Sequence, residues 1–274
     1  MSKVWLITGA TSGFGRAITE AVLAAGDTVV AAGRRPAALD DLVEAHPDRL
    51  RAVELDVTDP ARISAVVAEV ALWYGRIDVL VNSAGMALIG AIEETSDREL
   101  RDLMEVHFFG PAALTRAVLP YMRRQESGAI VQITSMGGRM SFPGVGAYSA
   151  TKFALEGFSE ALAQEVAPFG IKTLIVEPGA FRTGLHGGGM RMTAANPAYD
   201  DIVGPSRAQQ ADFDGKQPGD PAKAAAAIID ALEADNTPLR LVLGNDAADA
   251  ITGSLDQARD ELTAWEKVSR GTDL

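Results

Sequence analysis

Short, mostly apolar runs alternate along this chain with longer segments whose apolar positions recur every three to four residues. The short runs, at 4–7, 28–32, 51–55, 79–81, 129–134, 173–176 and 239–243, predict seven strands. Between the first two, Phe14, Ala17, Ile18, Ala21, Val22 and Ala25 fall at helical spacing, and Gly26 stops that helix. Asp59 followed by Pro60 predicts an N-cap and a first-turn proline, opening a helix that runs to about Tyr74. Further helices are expected near 97–123, 148–167, 220–234 and 254–268. Strands apolar at every position are covered on both faces. The fold class expected is therefore α/β: a doubly wound parallel sheet of about seven strands with helices on both faces. No shift in composition marks a linker, so residues 1–274 are expected to form a single domain. One long irregular stretch, 184–218, contains Gly187-Gly188-Gly189 and several prolines, and is expected to form a loop or lid over the site.

Composition narrows the chemistry. The chain has 274 residues, 47% hydrophobic and 23% charged, an ordinary globular balance. It contains no cysteine, which removes disulfides, thiol nucleophiles and thiolate metal sites. His46, His107 and His186 are scattered, so no metal site is expected. A net charge of −12 disfavours nucleic acid as a partner. No apolar run is long enough to span a membrane, and Met1-Ser2-Lys3 opens no signal peptide, so a cytoplasmic protein is expected.

Thr8-Gly9-Ala10-Thr11-Ser12-Gly13-Phe14-Gly15 joins the first strand to the first helix. A helix N-terminus presents unpaired N–H groups and positive dipole charge, and glycines let the backbone approach a pyrophosphate. The spacing is GxxxGxG rather than the usual GxGxxG, so its position between strand and helix carries the reading. The second strand ends at Ala32-Gly33-Arg34-Arg35, with no acid to hold a ribose 2′-hydroxyl. Arg34 and Arg35 could instead bind a 2′-phosphate through charge-assisted bonds, which favours NADP(H) while leaving NAD(H) possible. The competing reading of both arginines is solvated surface charge.

Tyr148-Ser149-Ala150-Thr151-Lys152 places a phenol and an ammonium four residues apart, on one helical face. The ammonium is expected to lower the tyrosine pKa, suiting it to acid–base work. Ser135 follows the strand at 129–134, at the carboxyl edge where parallel sheets bind ligands.

These elements, with Asp56-Val57, Asn82-Ser83-Ala84-Gly85 and Pro178-Gly179 followed by Thr183, make the chain resemble the short-chain dehydrogenase/reductase family over nearly its whole length. Residues 139–152, Pro238 to Leu243 and Trp265 look like its 17β-hydroxysteroid-dehydrogenase-like subgroup, a label that does not imply a steroid substrate. The resemblance implies a Rossmann-type sheet and a hydride transfer between a carbonyl and an alcohol. Tyr148 would be the proton donor in reduction and the base in oxidation. Lys152 would lower its pKa and bind the nicotinamide ribose, and Ser135 would hydrogen-bond the reacting oxygen. Gly9, Thr11, Ser12, Gly13, Phe14 and Gly15 would meet the pyrophosphate side, Asp56 and Val57 the adenine, and Thr183 the nicotinamide amide or pyrophosphate. Ala84, Gly85, Pro178 and Gly179 belong to the same cofactor-binding motifs, and Asn82 would brace the sheet.

One position departs from that pattern. Where the family carries a relay asparagine, this chain has His107, which is expected to keep the relay and to alter its pH profile. Met136, Met140, Phe142, Val145, Leu185, Met190, Met192 and Tyr199 are expected to form an apolar pocket for a hydrophobic ketone or secondary alcohol. The resemblance also implies a homodimer or homotetramer packed through the helices near 97–123 and 148–167. The alternative function is a non-catalytic NADP(H)-binding sensor, which would have no need of Ser135, Tyr148 and Lys152 together.

Overall fold

The computed structural model describes residues 2–185, 189–213 and 215–273. In chain order its elements are β1 (Val4–Thr8), α1 (Gly13–Ala24), β2 (Thr28–Gly33), α2 (Asp40–Ala45), β3 (Leu50–Glu54), α3 (Pro60–Tyr74), β4 (Val79–Asn82), β5 (Ala87–Ile89), α4 (Asp97–Met104), α5 (Gly110–Gln125), β6 (Gly128–Ile133), α6 (Gly146–Val166), β7 (Ile171–Pro178), β8 (Met190–Met192), α7 (Asp200–Asp212), α8 (Pro221–Glu233), β9 (Arg240–Leu243) and α9 (Asn245–Arg270). Seven strands form one sheet in the order β3-β2-β1-β4-β6-β7-β9. Every pairing in it is parallel. The fold is the Rossmann-type α/β sheet that the apolar runs predicted.

Period-two geometry explains why those runs carry no polar alternation. Leu6, Val30, Leu80 and Ile130 point into one core with Ile63 and Val67 of α3, Leu114 and Val118 of α5 and Leu162 of α6. Their neighbours Trp5, Ile7, Val29, Val81 and Val131 point into the opposite core, with Ile18 and Val22 of α1 and Ile228 of α8. Both sheet faces are thus buried under helices, and a polar position on either would lose its water.

Local signals set the helix ends. Asp59 accepts hydrogen bonds from the N–H groups of Ala61 and Arg62 (both 3.0 Å), and Gly75 closes α3 in the left-handed conformation at φ 71°. Ser96 and Glu99 form a reciprocal capping box that starts α4.

Two expectations need correction. The helix expected over 97–123 is interrupted at Glu105–Phe109 by a π-helical turn, followed directly by Pro111, whose missing N–H favours a fresh first turn. The stretch 184–218 is not irregular throughout. It contains β8, which pairs in parallel with β5 through Ala87–Met190, Leu88–Arg191 and Ile89–Met192, and it contains α7. Three-residue strands are too short to show a period, and Pro205 within α7 masks its helical pattern. Part of that stretch, His186, Gly187 and Gly188, lies outside the described residues.

Candidate active site

The chain leaves β1, β2 and β3 toward one edge of the sheet and returns to build β4 on the other side of β1. The crevice that opens at such a reversal, at the carboxyl ends of the strands, is where this class of sheet binds ligands. Here it is a cleft of about 460 Å³. It runs from the glycine loop and Arg34–Arg35 at one end to Ser135, Tyr148 and Lys152 at the other.

At the nucleotide end, Gly9 and Gly13 have φ values of +64° and +55°, which L side chains rarely adopt. A Cβ on Gly9 would also stand 2.8 Å from the Ala84 backbone. Ser12 caps α1 without using its side chain, and the first turn holds no acid, so the N–H groups there are free for an anion. Thr11, Ser12 and Phe14 line the cleft, with the Phe14 ring 5.1 Å from that of Phe181. Arg34 and Arg35 are exposed on its rim. Among the described residues neither guanidinium has an ion-pair partner. Asp56 and Val57 form the neighbouring wall, where Asp56 accepts hydrogen bonds from the backbone and hydroxyl of Thr58 (3.0 and 2.8 Å).

The remaining cofactor candidates divide into liners and supports. Ala84, Gly85, Pro178, Gly179 and Thr183 line the cleft. Gly15 and Asn82 do not. A Cβ on Gly15 would lie 2.3 Å from the Gly9 carbonyl oxygen, so this glycine lets α1 close on the loop. Asn82 is buried and donates to Gln132 on β6 (2.9 Å), bracing the sheet as the resemblance implied.

At the chemical end, Tyr148 and Ser135 line the cleft together, and the Ser135 hydroxyl accepts from the Gly137 N–H (3.0 Å). The Lys152 ammonium donates to the Ile133 carbonyl (2.9 Å) and lies 5.6 Å from the centre of the Tyr148 ring. The expectation that lysine lowers the tyrosine pKa does not hold in this structure. Burial pushes the phenol up, and the neighbouring Ser135 hydroxyl pulls the other way. Burial also lowers Lys152 to about 8, against the opposing pull of Glu156. For each group the cost of charging a buried side chain sets the direction of the shift.

His107 sits in the π-helical turn and is 1% exposed. Its Nε2 accepts from the Met86 N–H (3.0 Å), so Nδ1 carries the proton and donates to the Thr151 hydroxyl (2.8 Å). Thr151 in turn donates to the Tyr148 carbonyl (2.7 Å), and the two rings meet edge to face at 5.5 Å. Burial, reinforced by the nearby Lys152 charge, drives the imidazole pKa well below 6.5. The ring is therefore neutral with both nitrogens committed. Its bonds hold the tyrosine-bearing turn in place.

Several functional neighbours escaped sequence reasoning. Thr151 is one. Another is a buried charge cluster behind Lys152: Glu156, one turn along α6, accepts from Thr134 (2.7 Å) and pairs with Arg240 (3.2 Å). Arg240 also pairs with Glu177 (3.1 Å), and Glu177 with Arg139 from the loop after Ser135 (3.2 Å). The i+4 spacing of Lys152 and Glu156 was a usable signal; the arginines, from distant segments, were not. Glu94 is a third. It accepts from the backbones of Ala91 and Asn196 (2.6 and 2.7 Å) and pairs with Arg207, pinning the β8–α7 segment to the loop after β5. Of the eight apolar pocket candidates, only Leu185 lines the cleft. Met190 and Met192 are spent on β8, and Tyr199 bonds to Glu93.

A Rossmann-type sheet with a glycine-loop cleft and a Ser–Tyr–Lys end defines an oxidoreductase architecture. The profile of the short chain dehydrogenase family matches residues 3–191, and the chain belongs to that family. A crystal structure of a short-chain dehydrogenase from Streptomyces avermitilis is 63% identical and superposes with a TM-score of 0.95 over 100% of both chains. The 3-ketodihydrosphingosine reductase of Bacteroides thetaiotaomicron is 37% identical over 88% of each chain. A short-chain dehydrogenase from Burkholderia cenocepacia, in complex with NADP, is 26% identical with a TM-score of 0.75, over 96% of both chains.

Proposed function

We propose that this protein is an NADP(H)-preferring carbonyl reductase or alcohol dehydrogenase of the cytoplasm, acting on a hydrophobic ketone, aldehyde or secondary alcohol. The carrying observation is that one cleft joins an anion-ready glycine loop and two unpaired arginines to the Ser135–Tyr148–Lys152 group. The residues present fit a dinucleotide. The free first-turn N–H groups of α1 would hold its pyrophosphate, Arg34 and Arg35 a 2′-phosphate, Asp56 and Val57 its adenine, and Thr183 with Lys152 its nicotinamide side. When bound, that cofactor supplies or accepts the hydride.

The chain's own residues then manage one proton. Ser135 donates to the carbonyl oxygen and fixes its position. Tyr148 delivers its proton to that oxygen in reduction, and removes one in oxidation. A phenol whose pKa burial has raised stays protonated at neutral pH, which suits the reductive direction. Lys152 supplies positive charge to the phenolate left behind. His107 and Thr151 set the backbone from which Tyr148 projects. Gly184, Leu185 and Gly189 line the outer side of the substrate site. The relative named for a ketone reduction supports the substrate class. A homodimer or homotetramer through α4–α6 fits the exposed Phe109 and Phe153.

The test is NADPH oxidation with a panel of ketones and aldehydes, run with NADH in parallel. Turnover should favour NADPH, and Tyr148→Phe should lose roughly 100-fold or more while still binding NADPH. NADPH binding without turnover across the panel would overturn the enzyme reading in favour of a sensor.

A further inference from the structure

Helix α9 touches the body only at its start. Ala247 and Ile251 are buried, and Asp246 accepts from the Ala180 N–H (2.8 Å). Every residue from 255 to 270 is exposed. That is about four turns, roughly 24 Å of helix standing clear of the molecule. Leu255, Leu262, Trp265 and Val268 are 52%, 66%, 65% and 59% exposed. Leu255, Ala258, Leu262 and Trp265 follow a 3–4 spacing, the a/d seam of a coiled coil. The side-chain bonds here stay within the helix: Arg259 to Asp256, Gln257 to Glu261, Arg270 to Glu266. A free helix with an apolar seam is marginal in water and gains most of its stability by covering that seam.

We propose that the seam is covered by a second copy of this chain, the two helices pairing antiparallel about a two-fold axis near residue 260. The a/d pattern fixes this register. It sets Leu255 against Trp265 of the partner subunit and Ala258 against Leu262 of the partner subunit, a large side chain facing a smaller one at each step. The same register brings Arg259 beside Glu266 of the partner subunit, and symmetry repeats the pair. Within one chain these two residues are seven apart and do not meet. Glu261 faces its own copy across the axis, a repulsion that salt screens.

Charge argues against a lipid occupant. The exposed turns carry Asp256, Asp260, Glu261 and Glu266 against Arg259, Lys267 and Arg270, on a chain of net charge −12. Interfacial membrane helices are instead rich in lysine and arginine. Leu255, Leu262 and Trp265, each more than half exposed, supply the apolar surface of the contact between copies. This face is separate from α4–α6, so it adds a contact to any dimer formed there.

The test is light scattering of the full-length protein during size exclusion. Leu262→Glu and Trp265→Glu should each halve the mass of the wild-type particle while turnover stays unchanged. Arg259→Glu and Glu266→Arg should each weaken self-association about tenfold or more, and the double reversal should restore it to within about threefold. Three outcomes would overturn the proposal: equal masses for wild type and Trp265→Glu, a double reversal no better than either single one, or a monomeric wild type that co-sediments with anionic phosphatidylserine vesicles.

Discussion

Replacing Glu156 by glutamine removes one proton site from the buried cluster behind Lys152 and changes little else. Glutamine keeps the shape and the oxygen that accepts from Thr134. Burial, with the Glu177 carboxylate adding to it, raises Glu156 from 4.5 to about 7 even though Arg240 and Arg139 pull the other way. The native state therefore holds a proton that the unfolded chain releases above 4.5. Wild-type stability must fall as pH rises from 4.5 to 7, and must stay lowered above 7. Each unit of displacement corresponds to about 1.4 kcal/mol, so the loss between pH 5 and pH 8.5 is roughly 2–3 kcal/mol. The glutamine variant escapes that loss. Thermal or urea unfolding of both proteins at the two pH values should show the variant gaining on wild type by this amount as pH rises. For a chain of this size that is a relative shift in melting temperature of about 4–10 °C. A stability difference independent of pH, or one that turns against the variant at pH 8.5, would refute the reasoning. It would mean that the arginines outweigh burial and that Glu156 is an ordinary ion-paired carboxylate.

Arg34→Ala and Arg35→Ala should each raise the KM for NADPH about tenfold, the worth of one charge-assisted bond, while the KM for NADH stays within about twofold; equal effects on both cofactors would remove the 2′-phosphate assignment. His107 is held neutral, whereas the unfolded chain binds a proton there below about 6.5. Stability should therefore decline as pH drops through 6.5, and His107→Asn should flatten that decline in melts between pH 5 and 7.5; an unchanged slope would show that the buried ring titrates normally. Arg207→Ala should release the segment held by Glu94, speeding trypsin cleavage after Arg191 about tenfold or more under native conditions; unaltered cleavage would show that β5–β8 pairing holds the segment alone.

The sheet was legible because its central strands are dominated by apolar residues on both faces, which double-sided burial produces. All seven predicted strands occur, displaced by a residue or two at their ends. The cleft's residues were legible for a different reason: Tyr148 and Lys152 share one helix face, and the glycine loop is contiguous in sequence. What stayed hidden depends on contacts between distant segments. Arg139, Glu156, Glu177 and Arg240 come from four separate elements or loops, and no local pattern announces their meeting. The neutrality of His107 follows from its burial and from the charge of Lys152, and its two bonds reach Met86 and Thr151, 21 and 44 residues away. The sign of the Tyr148 shift was misjudged because sequence supplies the charged neighbour but not the dryness of the cleft.

The small β5–β8 ladder has a consequence for how this protein can change. It shares no strand with the main sheet, and the Glu94–Arg207 clasp fastens it from outside. The ladder is thus an appended part, hung on a chassis whose two cores it does not enter. A scaffold divided in this way can accumulate changes on the appended part alone, while the strands that carry the cleft stay fixed.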